Sequence, residues 1–309
     1  MRTWALTAVI FLLACGTNTV TTGGTGGSAG GGSSSGGGSA TGGGSGSGGG
    51  ASAGGGSGAG GGFGCSDAAK IVYVIDVDNT FSSFDPHTLT FTDLGQLNCP
   101  ANSGATPFSM SVDRNAFAYV LYNDGELFKV DTNGLGCTPT SFNGGSTFHN
   151  FGMGFSTDTA GGTSDSLFIA GGAAVGATSQ LAHLDVGSFG AAPLGMVNGW
   201  PELTGTGDAK LWGFFPGVNA ATPFVAQLDK TDAHLGTTFD ASAIAGDPHD
   251  WAFAFWGGKF WIFLRRDTDP STVVYEMDAM NGNLSTAIGN TGRTIVGAGV
   301  STCAPIDIN

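Results

Sequence analysis

Five times along the chain an apolar residue, two freely chosen positions, a second apolar residue and an aspartate recur: Phe81 to Asp85, Leu127 to Asp131, Leu181 to Asp185, Val225 to Asp229 and Val274 to Asp278. The aspartates are 46, 54, 44 and 49 residues apart. A period of this size marks one supersecondary unit repeated around or along an array, so it restricts the fold more than any composition does. Turn-prone sequence follows each aspartate, such as Thr132-Asn133-Gly134 and Ala279-Met280-Asn281-Gly282. Each Asp is therefore expected to end a strand and to cap the next hairpin turn through its own carboxylate.

Two further patterns share the period. Runs with no polar face stand at residues 71 to 75, 117 to 121, 166 to 170, 211 to 215 and 260 to 264, and both faces of such strands must be buried. Ahead of these, small residues alternate with other side chains: Ser109-Met110-Ser111, Gly152-Met153-Gly154, Gly205-Thr206-Gly207, Ala252-Phe253-Ala254 and Gly297-Ala298-Gly299. With a side-chain period of two, the small residues share one face, where another layer approaches closely. No helical pattern competes. Five units of about 49 residues read as an all-β, five-bladed β-propeller. The first unit lacks a small-residue strand, and the chain ends with one alone, from Ile295 to Ser301. A C-terminal strand completing the first blade would close the ring and remove two open sheet edges. A β-sandwich, or six blades if the long third unit hides extra strands, are the alternatives.

The architecture resembles the secreted and surface β-propellers of bacteria, including the YVTN and NHL-like groups, over Ile71 to Ser301. No regular Trp-Asp ending and no NHL tripeptide is present. The resemblance implies binding or scaffolding.

The front of the chain is different material. Of 57 glycines, 26 fall between Gly16 and Gly64, a stretch with no charged residue and few apolar ones. Such a segment cannot bury a core and is expected to be a disordered, Gly/Ser-rich tether over residues 16–64, spanning roughly 35–42 Å on average. Residues 1–15 combine Arg2, an apolar run from Trp4 to Leu13, and Ala14 before Cys15. The run is too short for a permanent membrane span and reads as an export signal. Its end, Leu12-Leu13-Ala14-Cys15, resembles the lipobox of bacterial lipoproteins. That resemblance implies lipidation at Cys15, a membrane partner through the anchor, and a place on the outer membrane or cell surface. Residues 65–309 then form the propeller domain.

With Cys15 lipidated, Cys65, Cys99, Cys137 and Cys303 remain, an even number in an exported chain. Ring closure brings Cys65 and Cys303 to the same end and favours their pairing, which leaves Cys99 with Cys137.

A formal net charge of −14 argues against nucleic acid, since phosphate binding needs a basic patch. No phosphate loop, GxSxG serine, zinc-ligand spacing or cofactor motif occurs, so no metal or cofactor is expected. The binding candidates are Asp113, Asp208 and Asp250 beside inner strands, His249 in Asp247-Pro248-His249-Asp250 at a channel mouth, and Trp200 in a loop, able to stack on a sugar or a partner. The expected function is a lipid-anchored binding or scaffold module that takes a glycan or a protein at the cell surface. The alternatives are a carbohydrate-active surface enzyme using paired carboxylates in the funnel, as several five-bladed propellers do, and a ligand-free spacer.

Overall fold

A computed structural model describes residues 65–307. The export signal, Cys15 and the glycine tract lie outside the described residues. Twenty strands form five four-stranded antiparallel sheets among the described residues. The first sheet holds β1 (Val72–Asp76), β2 (Thr80–Asp85) and β3 (Thr90–Gln96). The second holds β4 (Pro107–Val112), β5 (Phe117–Tyr122), β6 (Leu127–Asp131) and β7 (Cys137–Pro139). The third holds β8 (Asn150–Thr157), β9 (Asp165–Gly172), β10 (Thr178–Leu184) and β11 (Ala191–Asn198). The fourth holds β12 (Glu202–Gly205), β13 (Leu211–Phe215), β14 (Phe224–Leu228) and β15 (Leu235–Asp240). The fifth holds β16 (Pro248–Trp256), β17 (Lys259–Arg266), β18 (Val273–Asp278) and β19 (Leu284–Ile288). The last strand, β20 (Ile295–Gly299), returns to pair with β1 and completes the first sheet.

This is a five-bladed β-propeller, and it displaces both the sandwich and the six-bladed alternatives. The long third unit contains long strands and loops in place of an extra blade. The cores lie between blades. Val72 and Val74 of β1 pack with Trp261 and Phe263 of the fifth blade, whereas Tyr73 and Ile75 pack with Val120 and Phe128 of the second. Alternate residues of one strand thus serve two interfaces, which is why these strands show no polar face.

Inner strands β4, β8, β12, β16 and β20 touch one another around the channel. A Cβ at Gly152 or Gly154 would collide with the β12 backbone at Pro201, Glu202 and Leu203, and one at Gly205 with the backbone at Phe155 and Ser156. Small residues therefore stand where neighbouring inner strands cross. In the fourth blade the strand is Glu202–Gly205, so reading it from Gly205 to Gly207 placed it three residues late. Inner-strand amides without a ladder partner are met by hydroxyls of the preceding blade: Phe155 N donates to Ser111 Oγ and Phe255 N to Thr204 Oγ1, both at 3.1 Å.

All five repeated aspartates accept a hydrogen bond at Oδ1 from the amide two residues on, at 2.7 to 3.1 Å. The fourth residue after each has positive φ: Leu89, Leu135, Phe189, Ala233 and Gly282. Its amide bonds back to the aspartate carbonyl, closing a four-residue hairpin loop.

Both disulfides, Cys65–Cys303 and Cys99–Cys137, are formed. The first ties the segment before β1 to the segment after β20. Arg293 reinforces the same seam, reaching Asp76 at 3.0 Å and Asp93 at 2.8 Å from the loop before β20. Two disulfides fit an oxidising, extracytoplasmic compartment. No helix among the described residues is long and apolar enough to cross a membrane.

Candidate functional site at the channel mouth

The inner strands run in one sense, so their first residues gather at one mouth of the channel and their last residues at the other. At the far mouth the C-terminal segment crosses the ring. Val300, Ser301, Thr302, Cys303 and Ala304 are buried there. Thr302 Oγ1 donates to Asp165 at 2.7 Å, Asp165 is held by Arg114, and Gly257 N donates to the Pro305 carbonyl at 2.8 Å. That end is plugged by the chain itself.

The near mouth is open. A cavity of about 200 Å³ is walled by all five blades: Val77 and Val296 from the first, Pro107 and Phe108 from the second, Val175 from the third, Glu202 from the fourth, and His249, Asp250 and Trp251 from the fifth. Glu202 is only 2% exposed. Its Oε2 accepts from Ser109 Oγ at 2.9 Å, across the channel from a non-adjacent blade. Glycine at positions 152 and 154 of the intervening blade brings the strands close enough for this contact. Burial pushes the Glu202 carboxyl well above the usual range, outweighing the Ser109 hydroxyl and the Met153 amide that favour the anion. Its carboxyl stands beside the cavity.

Asp250 is held by Arg265, whose Nε and Nη2 approach Oδ2 at 2.6 and 2.5 Å. Arg265 Nη2 also lies 2.6 Å from His249 Nδ1. Since guanidinium only donates, His249 accepts at Nδ1 and a neutral ring carries its proton on Nε2. The Asp250 and Arg265 charges cancel within their ion pair. Phe108 and Trp251, both half-buried, add aromatic surface.

Of the residues singled out from the sequence, His249 and Asp250 meet at this mouth. Asp113 and Asp208 follow the ends of β4 and β12 and stand at the far end. Asp113 accepts from the amides of Asn115 and Phe117, both at 2.9 Å, and caps a turn. Asp208 pairs with Lys210 at 2.6 Å and accepts from Thr206 Oγ1. Burial raises the Asp208 carboxyl, but these two partners together hold it below the ordinary value. Trp200 connects β11 to β12 but presents no stacking face to solvent, being 2% exposed beneath its loop. The asparagine and glycine before it reads as a surface turn, whereas the ring folds inward between the third and fourth blades. The alternating small-residue pattern does not mark Glu202, because in the fourth blade that pattern begins at the last residue of the strand; the signal available is an acid at the start of an inner strand. Among the described residues no group of three or more metal-ligating side chains occurs.

No protein-family description matches the chain, and no curated protein does. Solved structures do. The chain is similar to one in a nidogen/laminin complex, at 14% identity and TM-score 0.47, over 80% of this chain and 84% of that one. It is also similar to TolB from Acinetobacter baumannii, at 12% identity and TM-score 0.43, over 71% of this chain and 52% of that one. A protein from Lactobacillus plantarum matches at 15% identity and TM-score 0.41, over 76% of this chain and 72% of that one.

Proposed function

We propose that this protein is an exported, lipid-anchored β-propeller that binds a glycan at the cell surface through its open channel mouth. The observation that carries this reading is the convergence of all five blades on one cavity, backed by a plugged far end. A blind recess with aromatic surface, an internally paired Asp250–Arg265 and fixed donors and acceptors suits a neutral, polyhydroxylated sugar. Hydroxyl groups can pair with His249 Nε2–H and the Asp250–Arg265 edge, while a ring face lies on Trp251 or Phe108. The lipid anchor rests on the sequence around Cys15. Screening the purified full chain on a glycan array tests the reading: saturable binding to a defined neutral glycan supports it, and an array without a saturable ligand contradicts it. Changing Cys15 to Ser should move the protein from the membrane to the soluble fraction, and a variant that stays in the membrane refutes the anchor.

A second reading, glycoside hydrolysis, draws on two carboxylates lining one cavity, Glu202, whose burial raises its carboxyl and favours the acid role, and Asp250, paired with Arg265. Against it, Glu202 is buried with Oε2 engaged by Ser109, so a glycosidic oxygen has no free approach to that atom. Turnover of aryl glycosides that disappears in both Glu202→Gln and Asp250→Asn would favour the enzyme.

A further inference from the structure

Four asparagines in the sequence are followed directly by glycine: Asn133, Asn143, Asn198 and Asn281. Such an asparagine can lose its side-chain amide, because the next backbone nitrogen, unhindered by a Cβ, attacks the carboxamide carbon. The attack needs both the glycine N–H and the carboxamide free to approach one another. At three of the four sites the fold holds one or both. Gly199 N donates to the Ala177 carbonyl at 2.7 Å, and Gly282 N to the Asp278 carbonyl at 2.8 Å. Asn281 Oδ1 is itself engaged, accepting from Asn283 N at 2.9 Å. Asn143 Oδ1 accepts from Gly145 N at 3.2 Å, and Gly144 is so confined that an added Cβ would lie 2.0 Å from the Phe148 carbonyl oxygen. Asn133 differs from all three. It is exposed, and among the described residues neither its carboxamide nor the Gly134 N–H has a hydrogen-bond partner.

One residue of register separates Asn133 from Asn281. Both stand in the hairpin loop that follows a repeated aspartate. In the fifth blade the glycine is the left-handed residue that closes the loop, so its amide is bonded to the Asp278 carbonyl. In the second blade Leu135 holds that place and bonds to the Asp131 carbonyl at 2.7 Å, which leaves Gly134, one position earlier, with a free amide. We propose that Asn133 is a self-modifying site, converted with time to a mixture of aspartate and isoaspartate. The Gly134 nitrogen gives its proton to solvent and bonds to Cγ of Asn133, the Cγ–Nδ2 bond breaks, and ammonia leaves with a proton from solvent. Water then opens the resulting succinimide at either carbonyl, so the net change is water consumed and ammonia released. Isoaspartate inserts an extra main-chain carbon two residues before Leu135, which packs with Cys99 and Cys137 against the core between the first and second blades. A loop of fixed length closed by one amide does not accommodate that insertion without loss.

The test incubates the full chain in warm, mildly alkaline buffer. Samples are digested with pepsin at low pH, each Asn-Gly site is read by tandem mass spectrometry, and isoaspartate is labelled with an isoaspartyl methyltransferase. Asn133 should react about fivefold or more faster than Asn143, Asn198 or Asn281, the difference that one hydrogen bond to be broken makes to a rate. In urea with the disulfides reduced, the four sites should react within about twofold of one another, because the protection belongs to the fold. The urea midpoint of the folded protein should fall as isoaspartate accumulates, whereas Asn133→Gln should keep its midpoint through the same incubation. Conversion at Asn133 no faster than at the other three sites in the folded chain overturns the proposal. So does the same ranking in urea, which would make the order a property of local sequence, and so does a midpoint that falls equally in Asn133→Gln.

Discussion

Loss of the Cys65–Cys303 bridge should destabilise the ring more than loss of Cys99–Cys137, and the difference follows from the lengths of chain they enclose. The bonded residues are 238 apart in the first case and 38 in the second. In the chain-entropy treatment, a cross-link restricts the unfolded chain in proportion to the logarithm of loop length, which gives about 5.5 kcal/mol for the long loop and about 4 kcal/mol for the short one. The local packing acts in the same direction, since Cys303 is 7% exposed beside Ala69 and Ala116, and a serine hydroxyl there would be buried. Urea unfolding followed by tryptophan fluorescence reads the effect, using paired Cys-to-Ser variants so that no free thiol remains. With a slope of about 3 kcal/mol/M, the midpoint should fall by about 1.8 M without Cys65–Cys303 and by about 1.3 M without Cys99–Cys137. An equal shift, or a smaller one for the Cys65–Cys303 pair, would show that the bridge does not fasten the ring in the manner argued.

Other perturbations address the seam and the inner ring. Gly152→Val should cost about 3 kcal/mol or more, because its Cβ collides with the β12 backbone, whereas Gly136→Ala, with open space around the added atom, should stay within about 0.5 kcal/mol; urea midpoints of both variants decide it. Truncation after Arg293 removes β20, opens β1 as an edge, and should give aggregation by light scattering; a soluble protein with unchanged melting refutes closure. Burial pushes the Asp76 carboxyl up to about 6 despite Arg293, so the folded state holds a proton that the unfolded state releases near pH 4. Stability from this group is full below pH 4 and is lost as pH rises through about 6, by about 3 kcal/mol in all. Asp76→Asn should lack that part of the slope, and parallel stability curves for variant and wild type between pH 4 and 7 would refute it.

The parts of the fold that were legible in the sequence are those whose cause is local. A carboxylate capping the amide two residues on needs only its own turn, and the repeated aspartates do so in every blade. A strand buried on both faces must be apolar throughout, so the middle strands announced themselves. The outermost strands did not: β3 and β15 are mostly exposed, rich in Thr and Asp, and carry no apolar alternation. Nor did the left-handed residue closing each hairpin loop, because only Gly282 of the five is the glycine that turn rules look for. At the site, His249 and Asp250 could be placed at a mouth from strand order. Glu202, its bond to Ser109 across the channel, and the pairing of Arg265 with Asp250 depend on how blades meet around a ring, and that leaves no signature in neighbouring residues. Trp200 is the inverse case, a loop residue by sequence whose side chain is drawn between two blades.

The central claim, that the open mouth is where this protein meets its ligand, is tested most directly by glycan-array binding of the full chain beside its Val175→Trp variant. Val175 is 42% exposed and walls the mouth, so the larger ring blocks the cavity without entering a core. The account predicts saturable binding by the wild type, at least about tenfold weaker binding by the variant, and an unchanged urea midpoint. Binding that survives Val175→Trp undiminished would contradict it.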